Sequence, residues 1–330
     1  MLKTLGLWLA MAVVSAPALA DSDWALYKQL YITDNGRVQD TGNHNISHSE
    51  GQGYGMLLAA HYNDQTTFDN LWRWARSNLG RHDMALFAWR YNPGETPHVA
   101  DQNDAADGDL LIAWALYKGG QRFGNSNYLN ASKRIRHAVL DHLVHSYGGY
   151  TVLLPGLKGF TGNGYIDINL SYWVMPAIND FATADSDPRW QQLLASGEKL
   201  LADSQFGDAQ LPTDWIRLTE GGQLSPSPNW PSRFGFDAVR VPLYFYWAGL
   251  KNSAALKPIL SFWKLAGSKA PAWFDVKTGE QAPYPASQGL KAVIALNEQQ
   301  HPTLPPLSSK GDYYSASLLL LSKIAEFATP

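Results

Sequence analysis

Apolar residues recur with a helical period in about eleven separate segments of this chain, and that recurrence limits the fold more than any single motif does. The segments run near residues 22–32, 49–62, 65–79, 105–119, 127–145, 169–183, 188–203, 238–250, 253–267, 285–299 and 311–327. Several are punctuated. Asp104 is placed to cap the segment holding Leu110, Leu111, Ala113, Trp114 and Leu116, and Gly119-Gly120 to close it. Asp187-Pro188 opens another, with proline at the first turn. Strand signals are weak; the best is Tyr150 to Leu154, between Gly148-Gly149 and Pro155-Gly156. So many helices exceed a small bundle. The expectation is an all-α chain of paired helices arranged in a ring, one helix short of twelve, with short hairpin and loop insertions around an open cleft.

The N-terminus reads differently. Lys3 precedes an apolar run from Leu5 to Val14, and Ala18-Leu19-Ala20 is a small-x-small cleavage pattern. The run is too short to span a bilayer. Residues 1–20 are therefore expected to be an export signal, cut after Ala20. Residues 21–330 are expected to form one domain, because no linker or low-complexity tract divides them. The mature protein would then be periplasmic or secreted. Its formal net charge is −3, which offers no polyanion footprint. Cysteine is absent, which excludes disulfides, Cys-ligated zinc and a cysteine nucleophile. No G-x-S-x-G elbow and no phosphate-binding loop is present.

Three polar constellations stand out. In Ser49-Glu50-Gly51-Gln52-Gly53-Tyr54-Gly55-Met56, three glycines alternate at a helix start. Each costs about 1 kcal/mol relative to alanine in a helix, so something must approach this backbone closely. Glu50 sits in the first turn, where a carboxylate also complements the helix dipole. In Asp104-Ala105-Ala106-Asp107-Gly108-Asp109, three aspartates crowd a helix start, more than capping requires. In Phe236-Asp237-Ala238-Val239-Arg240-Val241-Pro242, one Asp and one Arg lie in an apolar segment, near the mouth of a helix whose first turn holds Pro242. A buried Asp there must be paired or functional. Aromatic residues flank these motifs, among them Trp89, Tyr91, Tyr165, Tyr172, Trp173, Tyr313 and Tyr314. Such rings suit the apolar face of a sugar. Trp89 is the best candidate platform. His44 and His48 have metal-ligand spacing, but HExxH is missing and no EF-hand pattern surrounds the aspartates, so no metal or cofactor is expected.

Taken together, these segments resemble glycoside hydrolase family 8 over essentially the whole mature chain. Ser49 to Met56 is similar to that family's proton-donor motif. Ala106-Asp107-Gly108-Asp109 with Ile112-Ala113 is similar to its aspartate signature, although Ala106 stands where Ser or Thr is usual. Phe236 to Pro242 is similar to its general-base segment. Asn169-Leu170-Ser171-Tyr172 and Tyr313-Tyr314-Ser315 also match, in order. The resemblance implies an (α/α)6 barrel and endo-acting hydrolysis of a β-1,4-glucan, with inversion. Glu50 would protonate the leaving oxygen, Asp237 would activate water, and Asp107 would grip the distorted sugar. Trp89, Tyr172, Arg240, Tyr313, Tyr314 and Asp109 are the expected substrate-binding residues. A nearby ionised Asp would raise the Glu50 pKa. Within the family, the chain resembles the periplasmic subgroup encoded with bacterial cellulose synthase, so a cellulose chain and the synthase or export complex are the expected partners. Action on chitosan or xylan, or a silent glucan-binding role, are the alternatives.

Overall fold

The computed structural model describes residues 16–299 and 301–328. The charged start and apolar run of the expected export signal lie outside them. Eleven α-helices appear among the described residues. They are α1 (Ala16–Tyr31), α2 (Ser49–His61), α3 (Gln65–Asn78), α4 (Ala106–Arg122), α5 (Ser126–His142), α6 (Met175–Ala184), α7 (Arg189–Asp203), α8 (Val241–Trp247), α9 (Lys257–Ala266), α10 (Gln288–Glu298) and α11 (Tyr313–Ala328).

The helices differ in how much of themselves they bury. Helix α2 buries eleven of its thirteen residues, whereas its partner α3 buries four of fourteen. Helix α4 buries thirteen of seventeen, and α5 seven of seventeen. A helix apolar all round belongs inside, and one with a single apolar stripe belongs outside. The inner helices run as neighbours: α2 packs on α4, α4 on α6, α6 on α8 and α8 on α10. Helix α11 packs on α10, α8 and α2, returning the run to its start.

Glycine sets the closest crossing. A Cβ on Gly53 would lie 2.5 Å from the Leu111 Cβ, and one on Gly108 would lie 2.6 Å from the Ser49 Cβ and 2.9 Å from the Glu50 nitrogen. The close approach predicted for the α2 glycines is therefore made by the protein itself, at Gly53 by helix α4. It brings the first turns of α2 and α4, with Glu50 and Asp107, side by side.

Helix boundaries follow local chemistry, with some departures from expectation. Helix α4 has Ala105 as its N-cap and no side-chain cap; Asp104 instead accepts from the Leu157 nitrogen at 2.9 Å. Gly119 and Gly120 do not end α4. They lie inside it, where the Phe68 ring and the Leu129 side chain press against their Cα atoms. The segments near 169–183 and 238–250 are each split into a 3-10 turn (Leu170–Tyr172, Ala238–Arg240) and an α-helix with Pro176 or Pro242 in its first turn. The segment near 127–145 ends at His142. Val144–Tyr147 leaves it to form a hairpin with Tyr150–Leu153, turned by Gly148 and Gly149 at φ 54° and 83°.

A four-stranded antiparallel sheet joins Thr161–Gly162, Tyr165–Ile168, Ile216–Thr219 and Leu224–Pro226. Ile168 pairs with Ile216. That register sends Asn169–Tyr172 and Asp214–Trp215 out of the same end of the sheet.

Candidate active site

Arg240, 2% exposed, lies at the centre of the site. Its position just before α8 puts the guanidinium where the openings of α2 and α4 converge. One amino group donates to Glu50 Oε1, to the Tyr54 hydroxyl at 3.2 Å and to Asp107 Oδ2 at 3.5 Å. The other donates to Asp237 Oδ1 at 2.7 Å and to Ser171 Oγ at 2.8 Å. Three carboxylates from three segments thus share one guanidinium. They differ in access: the Asp237 side chain is 30% exposed, Glu50 20% and Asp107 3%. Glu50 and Asp237 are reached by solvent, and Asp107 is buried.

The charges are unequally distributed. Burial alone would raise the Glu50 pKa, but the Arg240 charge and then that of His48 outweigh it, and Glu50 is held below its ordinary value. This corrects the expectation of a raised Glu50: the neighbouring cation decides, not the neighbouring aspartates. Asp107 is pushed up to about 7, by burial first and by the Glu50 charge second. Asp237 is also raised, chiefly by burial against the opposing Arg240 charge. Of the two, Asp107 thus holds a proton more readily than Glu50.

Supporting groups surround the carboxylates. His48 caps α2, its Nδ1 accepting from the Gly51 nitrogen at 3.1 Å, while its Nε2 faces Asp40 Oδ2 at 3.5 Å. His44 is exposed in a turn at φ 54° and does not join it. Among the described residues no three His, Asp or Glu side chains converge as a metal set. The Tyr54 hydroxyl bonds that of Tyr244 at 2.8 Å. Ser171 Oγ passes from Arg240 to Asn169 Oδ1, to which it donates at 2.7 Å.

The expected substrate contacts separate into two groups. Trp89 stays half-buried beside the start of α2, where its carbonyl accepts from the Ser49 nitrogen at 3.0 Å and its indole donates to Asp101 at 2.8 Å. Tyr172 is half-buried, close enough to Asp107 and Asp237 that their charges, after burial, disfavour its phenolate. Tyr314 donates its hydroxyl to the Phe236 carbonyl, next to Asp237. Two residues lie elsewhere. Asp109 is fully buried and accepts from the Phe87 nitrogen at 2.8 Å, so it anchors the loop bearing Trp89. Tyr313 is 1% exposed and wedged under the first turn of α2, where a Cβ on Gly51 would be 2.6 Å from its hydroxyl.

Sequence reasoning misses one aromatic surface and one carboxylate. Phe160, Trp215 and Trp230 stack, with Trp215 and Trp230 centroids 4.3 Å apart and Phe160 and Trp215 5.4 Å apart; Tyr172 meets Trp215 edge-on at 5.9 Å. Asp214 precedes Trp215 and binds the backbone around Asp237. The sequence signal for both is Asp-Trp at the start of an alternating run, Ile216 to Leu218.

Comparison with known proteins agrees with this geometry. The sequence model of the glycosyl hydrolases family 8 matches residues 3–327. A probable endoglucanase from Novacetimonas hansenii is 43% identical over 313 residues, 94% of this chain and 92% of that protein. The crystal structure of endoglucanase Cel10 from Klebsiella pneumoniae superposes with a TM-score of 0.91 at 40% identity, covering 93% of this chain and 99% of that one. Endo-beta-1,4-glucanase CMCax from Acetobacter xylinum superposes with a TM-score of 0.90 at 42% identity, covering 95% and 99%. The paired helices are accordingly those of an (α/α)6 fold. With the carboxylates gathered on Arg240 and the match running through all their segments, the chain belongs to glycosyl hydrolase family 8.

Proposed function

We propose that the protein is an endo-β-1,4-glucanase acting with inversion, in which Glu50 is the acid and Asp237 the base. The observation that carries this reading is the pairing of Glu50 and Asp237 on opposite amino groups of Arg240, with both carboxylates partly exposed to solvent. An inverting enzyme needs one carboxyl to protonate the leaving oxygen and a second, about 6.5–9.5 Å away, to deprotonate water on the other face of the sugar. Two carboxylates held apart by a guanidinium suit that division. Asp107 grips the sugar at the point of cleavage and, in the unliganded site, stores the proton Glu50 must carry. A glucan unit entering between Glu50 and Arg240 weakens their ion pair. Glu50 then takes the proton, and Arg240 remains with Asp237, which stays ionised as the base. Trp89, Tyr172, Tyr314 and the stack formed by Phe160, Trp215 and Trp230 bind successive sugar faces. The names of the relatives, endoglucanases at 40–43% identity, support β-1,4-glucan as substrate.

Export after cleavage at Ala20 and action on cellulose during its synthesis belong to the same proposal. They rest on the N-terminal pattern and on the subgroup resemblance. No helix among the described residues is long and apolar enough to cross a membrane.

Proton NMR of the first products from a cello-oligosaccharide tests the mechanism. The α-anomer is expected first; initial β-anomer overturns inversion. Carboxymethylcellulose, chitosan and xylan tested side by side decide the substrate, and turnover confined to chitosan or xylan overturns the glucan reading.

A further inference from the structure

Asp237 belongs to a short loop, Gly235 to Ala238, that enters the 3-10 turn before α8. The nitrogens of Gly235, Asp237 and Ala238 are not bonded within that turn. All three donate to a single oxygen, Asp214 Oδ1, at 3.0, 3.2 and 2.8 Å. Asp214 is itself anchored, its nitrogen donating to the Arg233 carbonyl at 2.7 Å. The fit is close: a Cβ on Gly235 would lie 2.7 Å from Asp214 Oδ2. One carboxylate from the end of the sheet thus caps the turn that carries both Asp237 and Arg240. Capping of the turn needs only an oxygen acceptor.

We infer that Asp214 is a positioning residue for Asp237: its carboxyl oxygen fixes the loop that aims the base at the water. The inference rests on the reading of Asp237 as the base. Asp214 touches no reacting atom in this scheme. It acts through the backbone, and its neighbour Trp215 belongs to the aromatic stack, so the loop and the sugar platform share one anchor. Burial and the Asp237 charge push the Asp214 pKa up to about 7.

The test compares Asp214→Ala, Asp214→Asn and Gly235→Ala with Asp237→Asn, measuring kcat, KM and melting temperature on a cello-oligosaccharide. Asp214→Ala should lower kcat by about 10²-fold, the scale of a misplaced catalytic group, with KM within about twofold. Asp214→Asn keeps the acceptor oxygen and should restore most of the turnover. Gly235→Ala keeps every partner but crowds the cradle, and should lower kcat in the same way even if Asp214→Ala melts too early to assay. Full turnover of Asp214→Ala alongside inactive Asp237→Asn overturns the inference alone. Asp214→Asn as inactive as Asp237→Asn also overturns it, by making Asp214 a chemical participant. Near wild-type turnover of Asp237→Asn overturns the base reading, and this inference with it.

Discussion

Arg240 donates from one amino group to Glu50 and from the other to Asp237, so a single buried cation bridges both carboxylates and holds Glu50 below its ordinary pKa. At 2% exposure it is surrounded by three carboxylates, of which Asp107 is buried and Glu50 and Asp237 are only partly solvated. Arg240→Met leaves these carboxylates without their cation, and breaking a buried pair in this way costs about 3–5 kcal/mol. Arg240→Lys restores the charge but not the fork, because an ammonium presents no fixed pair of donors. The expected order in denaturant midpoint is wild type, then Lys, then Met. Both variants should lose about 10²–10³-fold in kcat. A lysine variant with wild-type kcat contradicts the claim that the fork matters.

Glu50 and Asp237 should be separable by leaving group. Glu50→Gln removes the acid, which a substrate with an acidic phenol as leaving group hardly needs. Asp237→Asn removes the base, which every substrate needs. On a cello-oligosaccharide both variants should lose at least about 10²–10⁴-fold in turnover while still binding it. On an aryl cello-oligoside with a strongly activated leaving group, Glu50→Gln should recover and Asp237→Asn should not. Recovery of both, or of Asp237→Asn alone, exchanges or removes the assigned roles.

Much of the fold and of the site is legible in the sequence, for a local reason. Helix periodicity is written within ten to twenty residues, so Leu110, Leu111, Trp114 and their counterparts announce α4 and the others directly. Glu50, Asp107, Asp237 and Arg240 each stand out inside their own segment. What the segments do not contain is their meeting. The lowered pKa of Glu50 depends on a guanidinium 190 residues away in the chain. The strands Ile216–Thr219 and Leu224–Pro226 are too short to announce a sheet, and the pairing of the first with Tyr165–Ile168 is non-local. Asp214 and Trp215 go unread with them. Asp109 and Tyr313 show the opposite case: both sit in motifs beside functional residues, and helix geometry turns their side chains into the core, which the motifs do not announce.

Gly108 offers a test of how tightly the site is built. A Cβ there would meet the Ser49 side chain and come within 2.9 Å of the Glu50 nitrogen. Gly108→Ala gains helix propensity but must push α2 away from α4. Overpacking of this kind costs about 1–3 kcal/mol. It also moves Glu50 relative to Asp107 and Arg240. A lowered melting temperature and a kcat loss exceeding any change in KM are expected. Wild-type stability and turnover in this variant contradict the view that glycine is required at the α2–α4 crossing.

The proton on Asp107 makes stability depend on pH in a direction unusual for a carboxylate. Its folded pKa is about 7, against an ordinary value of 3.8. Between those values the folded chain holds a proton that the unfolded chain has released. Stability therefore falls as pH rises, because the slope follows the difference in bound protons between unfolded and folded states. The contribution is fully present below about pH 4 and is lost as pH approaches about 7. Asp214, also raised to about 7, acts in the same window. Asp64, lowered to about 2 with Lys28 and Thr67 as partners, acts in the opposite sense at lower pH. Asp107→Asn removes one of these declining contributions and leaves Asp214, the other raised carboxylates Asp237, Asp109 and Asp104, and every histidine in place. Denaturant midpoints of wild type and Asp107→Asn, measured from pH 4 to pH 8, should diverge as pH rises, with the variant gaining on wild type until about pH 7 and running parallel beyond it. A difference that stays constant across that range means Asp107 is not the group that holds the proton.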